Sequence, residues 1–249
     1  MHTNNNPITL KLAAFALIFS FGAVIFSFAF SKLSQKSNGE DAALSASDQL
    51  CVIIDAGHGG EDGGTKSAEG LLEKDVNLAI AQKLERMLTA SGVKVIMTRN
   101  DDTLLYDKNS DYQGHKKALD LAARLKIANE TPNAIFVSIH ANSFPISKYS
   151  GLQVYYSQND ERSFALAKTI QDDAKRFLDS ENDRKIKAAT SNIYLLDNAK
   201  LPAVLVECGF LSNPEEAAKL ADDEYLQKVA FSLFCSVIKH IDSDGISEL

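Results

Sequence analysis

From about residue 50 onward, short apolar runs alternate with longer stretches in which apolar residues return every third or fourth position. The runs Cys51–Asp55, Val93–Thr98, Ile135–His140, Leu152–Ser157, Asn192–Leu196 and Ala203–Glu207 read as strands. Between them, Val76, Ile80, Leu84, Met87 and Leu88 keep helical spacing, as do Ala118, Leu121, Ala122, Leu125 and Ala128. The last helix is marked by one apolar stripe, Leu226, Val229, Ala230, Leu233, Phe234, Val237, Ile238 and Ile241, with Asp222 placed to cap it. Strands alternating with helices predict an α/β fold in which helices cover a sheet. No break in composition and no internal repeat interrupts residues 49–243, so one domain is expected there, followed by a tail at 244–249.

The N-terminal region is a different material. After a flank at residues 1–11, residues 12–30 carry no charge, and as a helix they extend roughly 28 Å, enough to cross a bilayer once. A membrane anchor is expected, the alternative being a signal peptide cut near Ser27-Phe28-Ala29. Lys11 precedes the stretch while Lys32 and Lys36 follow it, so flanking charge does not fix the orientation. Residues 31–48, rich in Ser, Ala and polar groups, read as a linker. The domain is therefore expected outside the cytoplasm, membrane-anchored or, after cleavage, secreted.

Charge narrows the choice of partners. The chain has 26 basic and 33 acidic residues; residues 1–40 hold three of the first and one of the second, leaving 23 against 32 and a formal charge of −9. A surface that neutralises phosphates needs clustered Lys and Arg, so nucleic acid is not an expected partner. Cys51, Cys208 and Cys235 are odd in number and sit in apolar contexts; they read as small core residues, with one bridge and a free thiol as the alternative.

Three apolar runs end on, or just before, ionisable side chains: VIID leads into AGHGG with His58, IFVSI into His140, and AVLV into Glu207. Ligands of open α/β sheets bind at the carboxyl ends of strands, so these distant residues can meet. Two histidines and a carboxylate suggest a catalytic zinc site with one open position, the carboxylate being Glu61, Asp62, Glu73 or Glu207. Imidazole disfavours magnesium and calcium, whereas iron fits the same donors. A phosphate loop is a poor reading of AGHGGEDGG, which lacks the Lys-Ser/Thr ending.

Five segments, VIIDAGHGGEDGG, GLLEKDVNLAIA, VKVIMTR, LAARLKIANETPNAIFVSIHANS and NAKLPAVLVECGFLSNPEEA, occur in order over residues 51–241. Together they resemble the zinc-dependent N-acetylmuramoyl-L-alanine amidases of the amidase-3 family. The resemblance implies a mixed, mostly parallel sheet with helices on both faces. It also implies one zinc per chain on His58, Glu73 and His140, with Glu207 as the catalytic glutamate, cleaving the amide between N-acetylmuramic acid and L-alanine in peptidoglycan. Arg99, Arg124, Asn129 and Asn142 fall in the same blocks; Arg124 or Asn142 can orient substrate or support the ligands, and structural roles are open for all four. His2, His115 and His240 lie outside the motifs.

The chain departs from the family where many members carry a basic residue before the NA-x-x-P segment and it has Asp197. Residues 158–191 hold one amphipathic helix and a polar loop, which leaves no room for the autoinhibitory helix of periplasmic division amidases. With no separate wall-binding domain in view, location is expected to come from the anchor. A short, anchored, single-domain member most resembles the germination-specific amidases of spore cortex. The competing readings are a zinc peptidase acting within the stem peptide and a non-catalytic wall-binding protein. Whether an activating protein is required stays open.

Overall fold

Every residue of the strand Cys51–Ala56 (β1) is fully buried, so this strand must be covered on both faces. The computed structural model describes residues 50–106 and 114–246, with side chains to residue 243. In order, β1 is followed by α1 (Glu73–Ala90), β2 (Lys94–Met97), α2 (Lys116–Glu130), β3 (Ala134–Asn142), β4 (Gln153–Tyr156), α3 (Arg162–Phe177), β5 (Lys187–Ala188), α4 (Tyr194–Asn198), β6 (Ala203–Phe210), α5 (Pro214–Leu220) and α6 (Asp223–Ile246). The expected flank, span and linker lie outside the described residues; among those described, no helix is long and apolar enough to cross a membrane.

The sheet runs β2-β1-β3-β6-β4-β5. Strands β2, β1, β3 and β6 are mutually parallel, and β4 reverses against β6 with β5 parallel to it, so the sheet is mixed and mostly parallel. Alternation along each strand divides the core in two. Val52, Ile54, Val137, Ile139, Val204 and Val206 face α1, α3 and α6, represented by Ile80, Leu84, Leu166, Ile170, Val229 and Leu233. Cys51, Ile53, Phe136, Ala203 and Leu205 face the opposite side, where Ala128 of α2 and Leu195 and Leu196 of α4 cover them. Helices thus lie on both faces, as the resemblance implied. The chain leaves β1 for β2 on one side and returns to β3 on the other, which opens a crevice at their carboxyl ends.

One predicted strand is corrected. Asn192–Leu196 contributes to a helix, α4, rather than to the sheet. Leu195 and Leu196 are both buried, which breaks the alternation a strand requires, and Ala199, four residues after Leu195, completes a helical face. Asn159 stabilises the end of this turn by donating from Nδ2 to the carbonyls of Asp197 and Ala199 at 2.9 and 3.0 Å. The segment after β4 holds the one amphipathic helix expected there, α3, and in addition the two-residue strand β5. The capping role read for Asp222 is present, its Oδ1 accepting from the Glu224 N–H at 3.0 Å. All three cysteines are free; Cys51 and Cys208 are core residues as expected, whereas Cys235 is half-buried.

Beneath the crevice, the odd-numbered face of β1 carries a charge into the core. Asp55 is fully buried and accepts from Thr98 Oγ1 (2.7 Å), Ser138 Oγ (2.6 Å) and Arg124 Nη1 (2.6 Å). Burial alone would push its carboxyl up; the Arg124 guanidinium and the two hydroxyls override that and hold it below the ordinary range. Removing one partner of such a pair leaves an uncompensated buried charge. Arg124→Met is therefore expected to destabilise the fold by about 3–5 kcal/mol in urea unfolding at neutral pH. Because folding lowers the Asp55 pKa, its contribution is complete above the ordinary carboxylate range and is lost as pH falls through the lower native value. The gap between wild type and variant should shrink on acidification; a gap independent of pH would contradict this account.

Candidate active site

The turn that leaves β1 is built around its neighbours. His58 takes a left-handed backbone at φ 62°, uncommon for a residue with a side chain, and the surrounding bonds enforce it. Arg99 donates from Nε to the Ala56 carbonyl (2.8 Å) and from Nη2 to those of Gly57 (3.0 Å) and Lys74 (2.8 Å). Arg124 donates to the carbonyls of Ala56 and His58, both at 2.7 Å. Two glycines make room for the site itself. A Cβ at Gly57 would lie 2.3 Å from the His140 ring, and one at Gly64 would lie 2.5 Å from Glu73 Oε2.

Three side chains from three elements converge here. His58 follows β1, Glu73 opens α1, and His140 lies near the end of β3, with one potential ligand atom of each within 4.8 Å of the others. Glu73 Oε1 stands between the two rings, 3.1 Å from His58 Nε2 and 2.9 Å from His140 Nδ1. The rings meet edge to face with centroids 5.0 Å apart. Asn77, one turn along α1 and fully buried, donates to the Gly57 carbonyl (3.2 Å) and stands 3.4 Å from Glu73 Oε1, while the Ala141 N–H donates to that same oxygen at 3.2 Å. Asp62 Oδ2 approaches His58 Nδ1 to 2.9 Å.

The electrostatics follow from these contacts. Burial would raise the Glu73 carboxyl, but the two imidazoles hold it well below the usual range. Burial would lower His58, but Asp62 and Glu73 together push it up to about 9. One carboxylate oxygen facing two ring nitrogens is a donor set that suits a cation in place of the two shared protons. Of the four carboxylates read from the sequence, Glu73 occupies the position between the histidines. Glu61 turns instead to Lys116 Nζ, at 2.6 and 2.9 Å.

Glu207 stands beside this group without joining it. It pairs in register with His140 on the adjacent strand, so both side chains project from the same face. Its Oε2 is buried and has no hydrogen-bond partner among the described residues. Burial is the main reason that its carboxyl is pushed up to about 7. On the α2–α4 side, an adjoining cleft of about 230 Å³ is lined by His58, His140, Lys117, Leu121, Ile193 and Leu195.

The remaining family-block residues separate by position. Arg99 and Arg124 are buried beneath the turn with their donors committed to protein oxygens, and Arg124 also grips Asp120 (2.8 Å). Asn129 ties the end of α2 to the segment after α4, through Asn198 and Lys200. Asn142 is half-exposed at the end of β3, beside the groove bounded by β4 and β5. Asp197 lies on α4, its side chain exposed. Sequence reading passed over Asp55, Asn77 and Ser138. The available signal was a polar residue inside an otherwise apolar strand or helix stripe.

An α/β sheet whose strand ends gather two imidazoles, a carboxylate between them and a second carboxylate held apart defines a hydrolase centre able to hold a metal ion. A family model described as N-acetylmuramoyl-L-alanine amidase matches residues 52–239, and the chain belongs to that family, amidase-3. It is 36% identical over 230 residues to a germination-specific N-acetylmuramoyl-L-alanine amidase of Bacillus subtilis, covering 92% of this chain and 95% of that protein. Among solved structures, it is similar to the CwlD amidase of Clostridioides difficile in complex with the GerS lipoprotein, with 40% identity, TM-score 0.72 and coverage of 78% and 98%. The N-acetylmuramoyl-L-alanine amidase AmiC2 of Nostoc punctiforme gives 34% identity, TM-score 0.65 and coverage of 78% and 97%.

The glycine geometry is directly testable. Gly57→Ala is expected to displace His140 and lower the thermal midpoint by several degrees, while Gly63→Ala, whose Cβ would meet only Leu72 at 3.5 Å, should sit within about 0.5 kcal/mol of wild type. Equal melting of the two variants would contradict the close packing of turn against ring.

Proposed function

We propose that this amidase is zinc-dependent and hydrolyses the bond between the lactyl group of N-acetylmuramic acid and the L-alanine of the stem peptide in spore-cortex peptidoglycan. The observation that carries the reading is the convergence of His58, Glu73 and His140, with Glu207 beside them and unbonded. His58, Glu73 and His140 would hold one zinc ion, which two imidazoles and a carboxylate suit better than they suit magnesium or calcium. Bound there, zinc supplies Lewis-acid polarisation of a carbonyl and makes water more acidic.

The chain's own residues carry the proton. Glu207, half-buried with its Oε2 enclosed and free of competing hydrogen bonds, takes a proton from the attacking water as the carbon–oxygen bond forms. It then delivers that proton to the departing nitrogen as the carbon–nitrogen bond breaks, which leaves a free carboxylate on the lactyl group and a free L-alanine amino terminus. A carboxylate that can accept and then return a proton serves both halves of this transfer. Glu73 fixes the orientation of the two rings, while Asn77 and the Ala141 N–H fix Glu73. Arg124 acts from beneath, by holding the His58 backbone, and Asn142 acts from the groove side, where it can meet substrate.

The cortex assignment is supported by the likeness, over nearly its whole length, to the germination-specific Bacillus subtilis enzyme. In this reading residues 12–30 anchor the enzyme to the membrane, residues 31–48 tether the domain at 49–243, and it acts outside the cytoplasm. A lipoprotein partner belongs to the same reading, since the similar Clostridioides difficile amidase was solved in complex with one.

Zinc-loaded protein should release stem peptides with free L-alanine amino termini from cortex-type peptidoglycan, read by mass spectrometry. Glu207→Gln should keep about one zinc per chain and lose at least a hundredfold in kcat, whereas His58→Ala and His140→Ala should lose the metal as well. Products with alanine still attached to muramic acid would instead establish a peptidase, and a fully active Glu207→Gln would remove the proposed proton carrier.

A further inference from the structure

The face that bears His140 and Glu207 continues beyond them. Gln153 of β4 stands in register with Glu207, Tyr155 follows two residues along on the same face, and Lys187 of β5 pairs with Tyr155. Gln153, Tyr155 and Lys187, with Asn142, Tyr149, Arg184 and Phe210, line a groove of about 310 Å³, and Gln153 joins it to Glu207 through the strand register. Two cations converge on it. Arg184 is fixed in place: its Nε donates to the Ser150 carbonyl, its Nη1 to Gln153 Oε1 at 3.1 Å, and its guanidinium lies 4.4 Å from the Phe210 ring centroid. Lys187 Nζ lies 5.9 Å from the Tyr155 ring centroid. Neither cation forms a salt bridge among the described residues, although the domain is acidic and Lys74, Lys116, Arg124 and Lys239 each pair with a carboxylate.

A guanidinium whose orientation is set by stacking and backbone contacts, beside an ammonium without a carboxylate, is suited to a carboxylate brought by a ligand. Geometry indicates which part of the substrate supplies it. The amide to be cut joins a lactyl sugar, uncharged once its carboxyl is in the amide, to a peptide that carries free carboxylates. Strands lie about 4.8 Å apart, so Lys187, two strands beyond β6, is about 10 Å from the strand of Glu207. An extended peptide covers that in about three residues at roughly 3.5 Å each.

Building on the amidase reading above, we propose that Arg184 and Lys187 form an anion subsite that takes the carboxylates of the stem peptide, so that the peptide side of the scissile amide lies over β4 and β5. The sugar then lies toward α2 and α4. Arg184 and Lys187 are specificity determinants rather than part of the proton-transfer machinery.

The test uses the full, zinc-loaded chain and two muropeptides that differ only in whether the stem-peptide carboxylate about three residues from the scissile amide is free or carboxamidated. Wild type is expected to prefer the free acid by about tenfold in kcat/KM, chiefly through KM. Lys187→Glu, at an exposed position that leaves folding intact, should bring the ratio to one or below. Arg184→Gln should lower the ratio as well. If wild type cleaves both substrates equally, or if Lys187→Glu slows both by the same factor, the subsite is overturned while the amidase reading stands. If wild type cleaves neither and yields no free L-alanine termini from whole peptidoglycan, the amidase reading fails and the subsite with it.

Discussion

The buried contact between Asp55 and Arg124 is the constraint on which the catalytic end of the molecule rests. A charge in the middle of a sheet has no solvent to fall back on, so it is tolerated only when every lone pair is engaged. Here the engagement recruits β2 through Thr98, β3 through Ser138 and α2 through Arg124. The same guanidinium then reaches the carbonyls of Ala56 and His58, so the ion pair that fixes the strands also fixes the turn. Arg99 completes the support from the β2 side by gripping Ala56, Gly57 and Lys74.

This arrangement explains why a left-handed histidine can serve a site that needs tight positioning. Strain at His58 persists because its backbone is held on more than one side. Glycines at 57 and 64 then allow the ring of His140 and the carboxylate of Glu73 to approach the turn more closely than any side chain would permit. Register supplies the last element. Pairing of β3 with β6 sets His140 directly beside Glu207, and pairing of β6 with β4 and β5 carries the same face out to Gln153, Tyr155 and Lys187. The site is thus a consequence of strand order, with loops adding only His58 and the helix start adding Glu73.

Much of this could be read from the chain alone. The apolar runs of β1, β3 and β6 lead into recognisable polar residues, Asp55, His140 and Glu207, and α6 shows an unbroken apolar stripe. What escaped the reading had a physical reason in each case. Asn192–Leu196 is too short for periodicity to distinguish a strand from one helical turn, and only the adjacent burial of Leu195 and Leu196 decides it. The strand β5 is two residues within a polar segment and exists because β4 offers it an edge. Whether Glu61, Asp62 or Glu73 faces the histidines depends on where α1 packs, and the motif resemblance rather than spacing singled out Glu73. Nothing in the sequence marks Arg184, because its value lies in being stacked on Phe210, a residue distant in sequence.

The central claim is that three side chains from separate elements hold one metal ion while Glu207 is kept free for the proton. Anomalous diffraction at the zinc absorption edge, from crystals of zinc-loaded protein, tests it most directly. The account predicts a single strong peak bonded to His58 Nε2, His140 Nδ1 and a Glu73 oxygen at about 2.0–2.2 Å, with Glu207 outside the coordination sphere. A peak elsewhere, no peak, or Glu207 bound to the metal would contradict it.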